Sequence, residues 1–249
     1  MKTLLITRPA AQAHELAAHL RERGIGSVCV PTVEIQPDVE SLRTSLTMLD
    51  QAAWLVITST NGAEALARAT SGSNVRVPSH LRLAAVGPAT AGALRRLGFT
   101  VDYVPHRYLT SAIADGLGDV RGRLVVLARA DAASPALSRE LGQRGAIVHD
   151  VVAYRTVEAP AGSRDMAADA LEQPLDGITF TSGSTARGLV SLLPPEQRTR
   201  LTALPAYCIG PVTSAVARSL GFTTPVVAST HTAAGLAEAI YTHLKEESR

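Results

Sequence analysis

Residues 83–99 read LAAVGPATAGALRRLGF, and residues 206–222 read AYCIGPVTSAVARSLGF. Both stretches contain a Gly-Pro pair, a threonine two residues later, and an Arg-x-Leu-Gly-Phe ending at the same spacing. An offset of 123 residues relates the two, and the same offset takes Thr58 to Thr181, each followed by serine. Similarity at a fixed spacing predicts an internal duplication.

A second, weaker pair of segments supports the duplication. LLITRPAAQAHELAAHLRERG aligns with VVLARADAASPALSRELGQRG at an offset of 121 residues, which matches Arg8 to Arg129 and Gly24 to Gly145. The chain is therefore divided into four segments, at about residues 4–33, 53–117, 124–154 and 177–240.

Each segment alternates short apolar runs with stretches of helical spacing. The runs LLIT, SVCV, WLVIT, LAAV, LVVLA, IVHDVVAY, GITFT and AYCI are typical of parallel strands buried on both faces. Prolines predict first helical residues, with Ser134 as an N-cap before Pro135. Glycines after the helical stripes predict left-handed residues that end helices. These positions are Pro88, Pro135 and Pro211 for the prolines and Gly24, Gly98, Gly145 and Gly221 for the glycines.

Strands alternating with helices indicate an α/β fold. We expect two similar doubly wound parallel-sheet domains, joined by two connecting segments, with a ligand cleft between them. About seven residues join the second and third segments, whereas about twenty join the other neighbours, and short connections are typical within a domain. This spacing favours a contiguous middle domain of residues 36–155 and a discontinuous domain of residues 1–35 plus 156–249. Pairing the first segment with the second, and the third with the fourth, also fits the spacing.

Composition excludes several classes of function. Hydrophobic residues make up 46% of the chain, aromatics 4%, and the net charge is +2, so we expect no nucleic-acid partner. No apolar run reaches the ~18 residues that span a membrane, and we expect no membrane association. Cys29 and Cys208 lie in apolar stretches without a CxxC pattern, which indicates buried thiols in a reducing cytoplasm and no metal site.

Polar residues follow the predicted strands at turns that open helices. Helix N-termini carry unpaired N–H groups and a partial positive charge, so hydroxyls and amides there suit anions. Capping of the helix is the commoner role of such residues. No GxGxxG, P-loop or GxSxG pattern is present, which favours a ligand rich in carboxylates and hydroxyls over a nucleotide. The candidate binding residues at these turns are Thr58, Ser59, Asn61, Gly62, Gly87, Thr90, Ser182, Gly183, Ser184, Gly210 and Thr213.

Three further residues are candidates for the site. Arg8 and Arg129 occupy matched strand ends, where an arginine can bind a substrate carboxylate or form a salt bridge that holds the loop. Tyr154 ends the last strand of the predicted middle domain, just before the chain crosses to the other domain. Its phenol is a candidate acid, and packing at the hinge is the alternative.

The ordered motifs resemble those of the uroporphyrinogen-III synthase family over nearly the whole chain. They are ITRP at 6–9, Thr58 to Gly62, AVGPAT at 85–90, ARADAA at 128–133, VVAYRT at 151–156, TFTSGST at 179–185 and IGPVTS at 209–214. Each motif is short, but their order and spacing together are specific.

The resemblance implies a lyase of tetrapyrrole (heme) biosynthesis. Such an enzyme closes hydroxymethylbilane into uroporphyrinogen III, with loss of water and inversion of ring D, and needs no cofactor. The substrate carries eight carboxylates, which suits a cleft lined by helix N-termini. Tyr154 matches the family's tyrosine proposed to assist the leaving hydroxyl, and Thr90, Ser182 and Thr213 match its polar cleft residues. We expect a cytoplasmic monomer with this small molecule as its only partner.

Two alternatives remain at this stage. A non-catalytic two-domain small-molecule binding protein of the periplasmic-receptor type has a similar outline. The opening MKTLLITRPA has no small-residue cleavage site, so we expect a first strand in place of a signal peptide. A synthase-like regulatory domain is the second alternative. Because the sequence stops at residue 249, soon after the last repeat helix, we expect no added DNA-binding segment.

Overall fold

The computed structural model describes residues 1–72, 77–106 and 110–247. The chain forms two compact units. Unit 1 comprises Met1–Glu34 and Val157–Arg249, and unit 2 comprises Ile35–Thr156. The boundaries expected from the sequence were 1–35 plus 156–249 and 36–155, and each differs by one residue from the boundary in the structure.

The strands carry the apolar runs of the sequence. In chain order they are β1 (Thr3–Ile6), β2 (Gly26–Cys29), β3 (Val33–Pro37), β4 (Ala52–Ile57), β5 (Arg82–Ala85), β6 (Leu124–Ala130), β7 (Ile147–Glu158), β8 (Gly177–Phe180), β9 (Ala206–Cys208) and β10 (Pro225–Val227). All eight predicted runs form strands, whereas β3 and β10 were not predicted. The residues of β3, VEIQP, alternate between apolar and polar, and β10 has only three residues, PVV, none of which is fully buried, so neither has the long buried apolar run on which the prediction relied.

The helices alternate with the strands. In chain order they are α1 (Ala10–Arg21), α2 (Val39–Leu46), α3 (Thr60–Thr70), α4 (Pro88–Arg96), α5 (Thr110–Gly116), α6 (Ala136–Gln143), α7 (Ser163–Glu172), α8 (Gly183–Leu192), α9 (Pro195–Thr202), α10 (Pro211–Ser219) and α11 (Ala233–Glu247). No helix in residues 1–72, 77–106 and 110–247 has the length and apolar character needed to cross a bilayer.

Unit 1 is built on a sheet with the strand order β10-β9-β8-β1-β2. The neighbouring strands run parallel, with Leu5 paired to Val28 on one side and to Ile178 on the other. One face packs against α1 and α11 through an apolar cluster that includes Leu16 and Ile240. The other face packs against α8 and α10, so both faces are buried.

Unit 2 repeats this plan with the strand order β3-β7-β6-β4-β5. The pairs β4–β5, β4–β6 and β6–β7 are parallel. One face packs against α2, α3 and α4, and the opposite face packs against α5 and α6. The expectation of doubly wound parallel sheets is therefore confirmed for each unit.

Local signals in the sequence located the helix ends well. Pro88 and Pro211 begin α4 and α10, as predicted. The four predicted C-terminal glycines all adopt positive φ angles, for Gly24, Gly98, Gly145 and Gly221. The prediction at α6 was one residue early: Pro135 is the N-cap residue and the helix begins at Ala136. Ser134 still contributes, because its Oγ accepts a hydrogen bond from the Ala136 N–H at 3.3 Å.

Candidate active site

Each sheet has a switch point, where successive strands of the chain stop being added on one side of the sheet and are added on the other. In unit 2 this switch lies between β4 and β6, and in unit 1 it lies between β1 and β8. Ligands of doubly wound sheets bind outside such switches, because the loops there diverge and leave a crevice. Ser59 follows β4 and Arg129 lies near the end of β6 in unit 2, and Arg8 and Ser182 follow β1 and β8 in unit 1.

Ser59 connects two elements at the edge of unit 2. It is the N-cap residue of α3, and its Oγ accepts a hydrogen bond from the Gly62 N–H at 3.0 Å. The same Oγ–H donates to the phenol oxygen of Tyr154 at 2.9 Å. The sequence suggested both residues separately, and the structure places them in direct contact.

Tyr154 is held within the sheet and is only 7% exposed. It does not end its strand, as the sequence suggested, because β7 continues to Glu158. The pairing of β6 with β7 shifts by one residue here: Arg129 lies opposite Val152, but Ala130 lies opposite Tyr154. A bulge of this kind turns the following side chain, and Ala153 and Tyr154 are consequently both buried.

Arg129 is engaged within unit 2. Its guanidinium is 7% exposed, and its Nε donates to the Asp150 carboxylate at 2.8 Å while its Nη2 contacts the second oxygen. Its Nη1 donates to the Ser134 carbonyl at 2.6 Å. These contacts hold the loop that leads into α6, which is the alternative role that the sequence left open.

Arg8 has different surroundings in unit 1. Its side chain is partly buried, and its Nη2 reaches the Gln12 Oε1 at 3.4 Å. Its Nε is buried without a hydrogen-bond partner among the described residues. Burial lowers the pKa of the Arg8 guanidinium, and the charge of Glu15 acts in the opposite direction. Burying a cation without a paired anion is unfavourable, so this group favours a ligand carboxylate.

The repeat explains why the two arginines differ. The offset of 121 residues that relates Arg8 to Arg129 also relates Cys29 to Asp150. The sheet registers agree, because Cys29 lies opposite Ile6 and Asp150 lies opposite Leu127. Unit 1 therefore has a thiol where unit 2 has the carboxylate partner.

The N-terminus of α8 is closed by its own side chains. Ser182 Oγ accepts from the Thr185 N–H at 3.2 Å, and the Thr185 hydroxyl accepts from the Ser182 N–H at 3.3 Å. This reciprocal pair is a capping box. Ser182 and Ser184 share a further hydrogen bond of 2.8 Å between their hydroxyls. A Cβ at Gly183 would lie 2.9 Å from a Val216 methyl, so this glycine permits close packing of two helices.

Among the described residues, no side chain caps the N-terminus of α4 or of α10. Gly87 precedes α4 and Gly210 precedes α10. The first-turn N–H groups of such helices have no intrahelical acceptor. The hydroxyls of Thr90 and Thr213, in these first turns, make no hydrogen bond to any of the described residues. Each unit thus has a serine-capped helix, α3 or α8, and a helix that follows a Gly-Pro pair without a side-chain cap among the described residues, α4 or α10.

The remaining candidates lie around the start of α3. Thr58 is partly buried directly after β4, and Asn61 lies in the first turn of the helix. A Cβ at Gly62 would lie 3.2 Å from an Ile57 methyl, so this glycine lets the helix approach the sheet closely. The sequence analysis missed Asp150 altogether. Asp150 lies opposite Leu127 on the neighbouring strand, two residues before Arg129, and only this register brings the two side chains together.

Comparisons with known proteins identify the family of the chain. A family model described as uroporphyrinogen-III synthase HemD matches residues 14–238. A uroporphyrinogen-III synthase from Synechococcus elongatus is 30% identical over 253 aligned residues, which cover 96% of this chain and 94% of that protein.

Solved structures support the same fold. A mutant uroporphyrinogen III synthase from Thermus thermophilus aligns with a TM-score of 0.69 at 19% identity and covers 99% of this chain and 100% of that one. The enzyme from Helicobacter pylori aligns with a TM-score of 0.64 at 15% identity and covers both chains fully, at 100% each. At these identities the likeness concerns the fold.

Proposed function

The chain belongs to the uroporphyrinogen-III synthase family, and on this premise we propose that it is a lyase that closes hydroxymethylbilane into uroporphyrinogen III. The hydroxymethyl C–O bond breaks with its electron pair on oxygen. A C–C bond closes the macrocycle with ring D inverted, and a pyrrole carbon loses a proton. The hydroxide and this proton together give one water.

The chain's part in this reaction is positioning and stabilisation of charge. Breaking the C–O bond leaves a cation on the pyrrole and charge on the departing oxygen. A hydrogen-bond donor that the protein already holds near that oxygen stabilises the transition state, because the donor does not have to move as the charge develops. The tyrosine hydroxyl of Tyr154 is our proposed donor, since a phenol can donate a hydrogen bond without carrying a charge.

One observation carries this proposal. The Tyr154 phenol lies at the carboxyl edge of the unit 2 sheet and accepts a hydrogen bond from Ser59. In the described part of the chain it donates to no other group, so its own hydrogen is available to a ligand. A tyrosine that only packed at the hinge would require neither the hydrogen bond from Ser59 nor the shift in strand pairing beside it.

The carboxylates of the substrate require several binding groups. We propose that the uncapped first turns of α4 and α10 bind carboxylates through their N–H groups and through Thr90 and Thr213. The other candidates at the turns line the same edges, with Arg8 as the cationic ligand in unit 1. Arg129 holds the loop before α6 and does not bind the substrate itself, because its guanidinium is already hydrogen-bonded to Asp150 and Ser134.

We further propose that the chain works as a cytoplasmic monomer without a cofactor. Both of its cysteines are free thiols. Burial raises the pKa of the Cys208 thiol to about 11, with a smaller opposing contribution from Arg218, and burial also raises that of Cys29. Thiols of this kind suit a reducing compartment. Sedimentation of the purified protein, with and without substrate, tests the monomer.

The reaction itself is tested by product analysis. Hydroxymethylbilane closes in water to isomer I without inversion, so the ratio of isomers III and I reports on the enzyme. We expect an excess of isomer III when the purified chain is incubated with hydroxymethylbilane and the oxidised products are separated. A heat-denatured sample is the control. A product mixture like that of the control contradicts the proposal and leaves a non-catalytic binding protein or regulatory domain.

A further inference from the structure

The hydrogen bonds at Ser59 run in one direction from the helix to the phenol. The Gly62 N–H donates to Ser59 Oγ at 3.0 Å, and Ser59 Oγ–H donates to Tyr154 Oη at 2.9 Å. The single hydroxyl hydrogen of Ser59 is therefore engaged by Tyr154 and cannot be donated to a ligand. The phenol oxygen receives a hydrogen bond, and its own hydrogen has no acceptor among the described residues.

We propose that Ser59 is a positioning residue that acts through Tyr154, an inference that rests on the proposed function. Its hydrogen bond restricts the rotation of the phenol O–H, so that the hydrogen points toward the substrate. Successive hydrogen bonds also polarise one another, by roughly 10–30% per bond. The first donor lies at the positive end of α3, which favours negative charge on the phenol oxygen. A phenol held in this way is a stronger donor to a departing hydroxyl.

The duplication provides a comparison for this role. Ser182 is the matching residue in unit 1, and it also caps its helix, at 3.2 Å from the Thr185 N–H. Its hydroxyl contacts Ser184 and, within the described part of the chain, no tyrosine. Ser182 shows that a serine can cap its helix without bonding to a tyrosine. The hydrogen bond from Ser59 to Tyr154 is therefore not needed for capping.

A double-mutant cycle separates the two roles of Ser59. The proteins are wild type, Ser59→Ala, Tyr154→Phe and the double variant, each assayed for kcat, KM and the isomer ratio. We expect Ser59→Ala to lower kcat about 3- to 10-fold, the value of one hydrogen bond, with little change in KM. In the Tyr154→Phe background the same change should lower kcat by less than about 2-fold, because the acceptor is gone. Ser59→Thr keeps the hydroxyl and should restore kcat.

Helix capping is controlled separately. Ser59→Ala and Ser182→Ala each remove a cap, and we expect each to lower the melting temperature by about 2–4 °C. Ser59→Gly retains a favourable N-cap residue without the hydroxyl, so it keeps the test available if the alanine variant folds poorly. It should lower kcat as Ser59→Ala does, with little loss of stability.

The outcomes distinguish this inference from the proposed function. If wild type forms an excess of isomer III but Ser59→Ala lowers kcat equally in both backgrounds, Ser59 acts only as a cap and the inference is wrong. The same conclusion follows if Ser59→Gly retains full kcat. If wild type itself forms only isomer I, the proposed function fails, and the positioning role fails with it.

Discussion

The carboxyl edges of the two units are related by the repeat, and they differ in the surroundings of their matched arginines and in the presence of a tyrosine. Unit 2 has a buried phenol, Tyr154, and an arginine neutralised by Asp150. Unit 1 has an arginine at the matching position, Arg8, with Cys29 in place of the carboxylate. In the function that we propose, Tyr154 is the hydrogen-bond donor and Arg8 is a cation that binds a substrate carboxylate.

The strongest challenge to this comparison is Tyr154→Phe. The change keeps the ring and its packing but removes the donor, so we expect kcat to fall by roughly 10²–10⁴ with a nearly unchanged melting temperature. Rates of isomer III formation and thermal unfolding measure the two effects. Tyr154→Ala is the control for packing, and it should also destabilise the fold by about 3–5 kcal/mol. A fully active phenylalanine variant would remove the phenol from the mechanism.

Replacing Arg8 tests the role given to unit 1. Arg8→Met keeps an apolar side chain of similar length, so the fold should retain its stability. A hydrogen bond to a charged group contributes about 1.5–3 kcal/mol, so we expect KM to rise roughly 10- to 100-fold while kcat changes little. Steady-state kinetics at low salt measures both. An unchanged KM would mean that Arg8 does not bind the substrate.

Giving Arg8 the partner that Arg129 already has sharpens the comparison. Cys29→Asp places a carboxylate at the position that matches Asp150, and we expect it to pair with the guanidinium. The pair should raise KM in the same direction as Arg8→Met, because the fork is then occupied. Cys29→Ser is the matched control, since it adds polarity without charge. Equal KM values for the two variants would contradict the pairing.

Removing Arg129 should affect stability more than substrate binding. Arg129→Met leaves Asp150 without its partner, but Asp150 is 39% exposed and water can solvate it. We therefore expect a loss of about 1–3 kcal/mol, below the usual cost of breaking a fully buried pair. Chemical denaturation measures this loss, and KM should rise less than in Arg8→Met. A larger KM effect than that of Arg8→Met would reverse the roles of the two arginines.

The smallest effects are expected at the uncapped helices, where the two units are alike. Thr90→Ala and Thr213→Ala each remove one hydroxyl, and the backbone N–H groups stay in place. Each change should cost about 0.5–1.5 kcal/mol in kcat/KM, with the isomer ratio preserved. Competition with polycarboxylate analogues can measure binding separately. Complete loss of activity in one folded variant would show that a single threonine dominates the site.

The repeat, the eight strands with apolar runs and the starts of α4 and α10 could be predicted from the sequence. Gly-Pro pairs begin α4 and α10 in both copies, and glycines with positive φ end the helices they follow. These features are local, because a proline ring or a missing Cβ limits the backbone wherever it occurs. The sequence also nominated Arg8, Arg129 and Tyr154 as candidates, although it left two roles open for each.

Contacts between residues that are distant in sequence distinguish between those roles. The Arg129 side chain meets Asp150 because β6 and β7 pair in a particular register, 21 residues apart in sequence. Ser59 meets Tyr154 across 95 residues, after a bulge shifts the pairing by one position. Such contacts depend on how strands align, and a strand's residue pattern specifies which face is buried more strongly than which neighbour it meets.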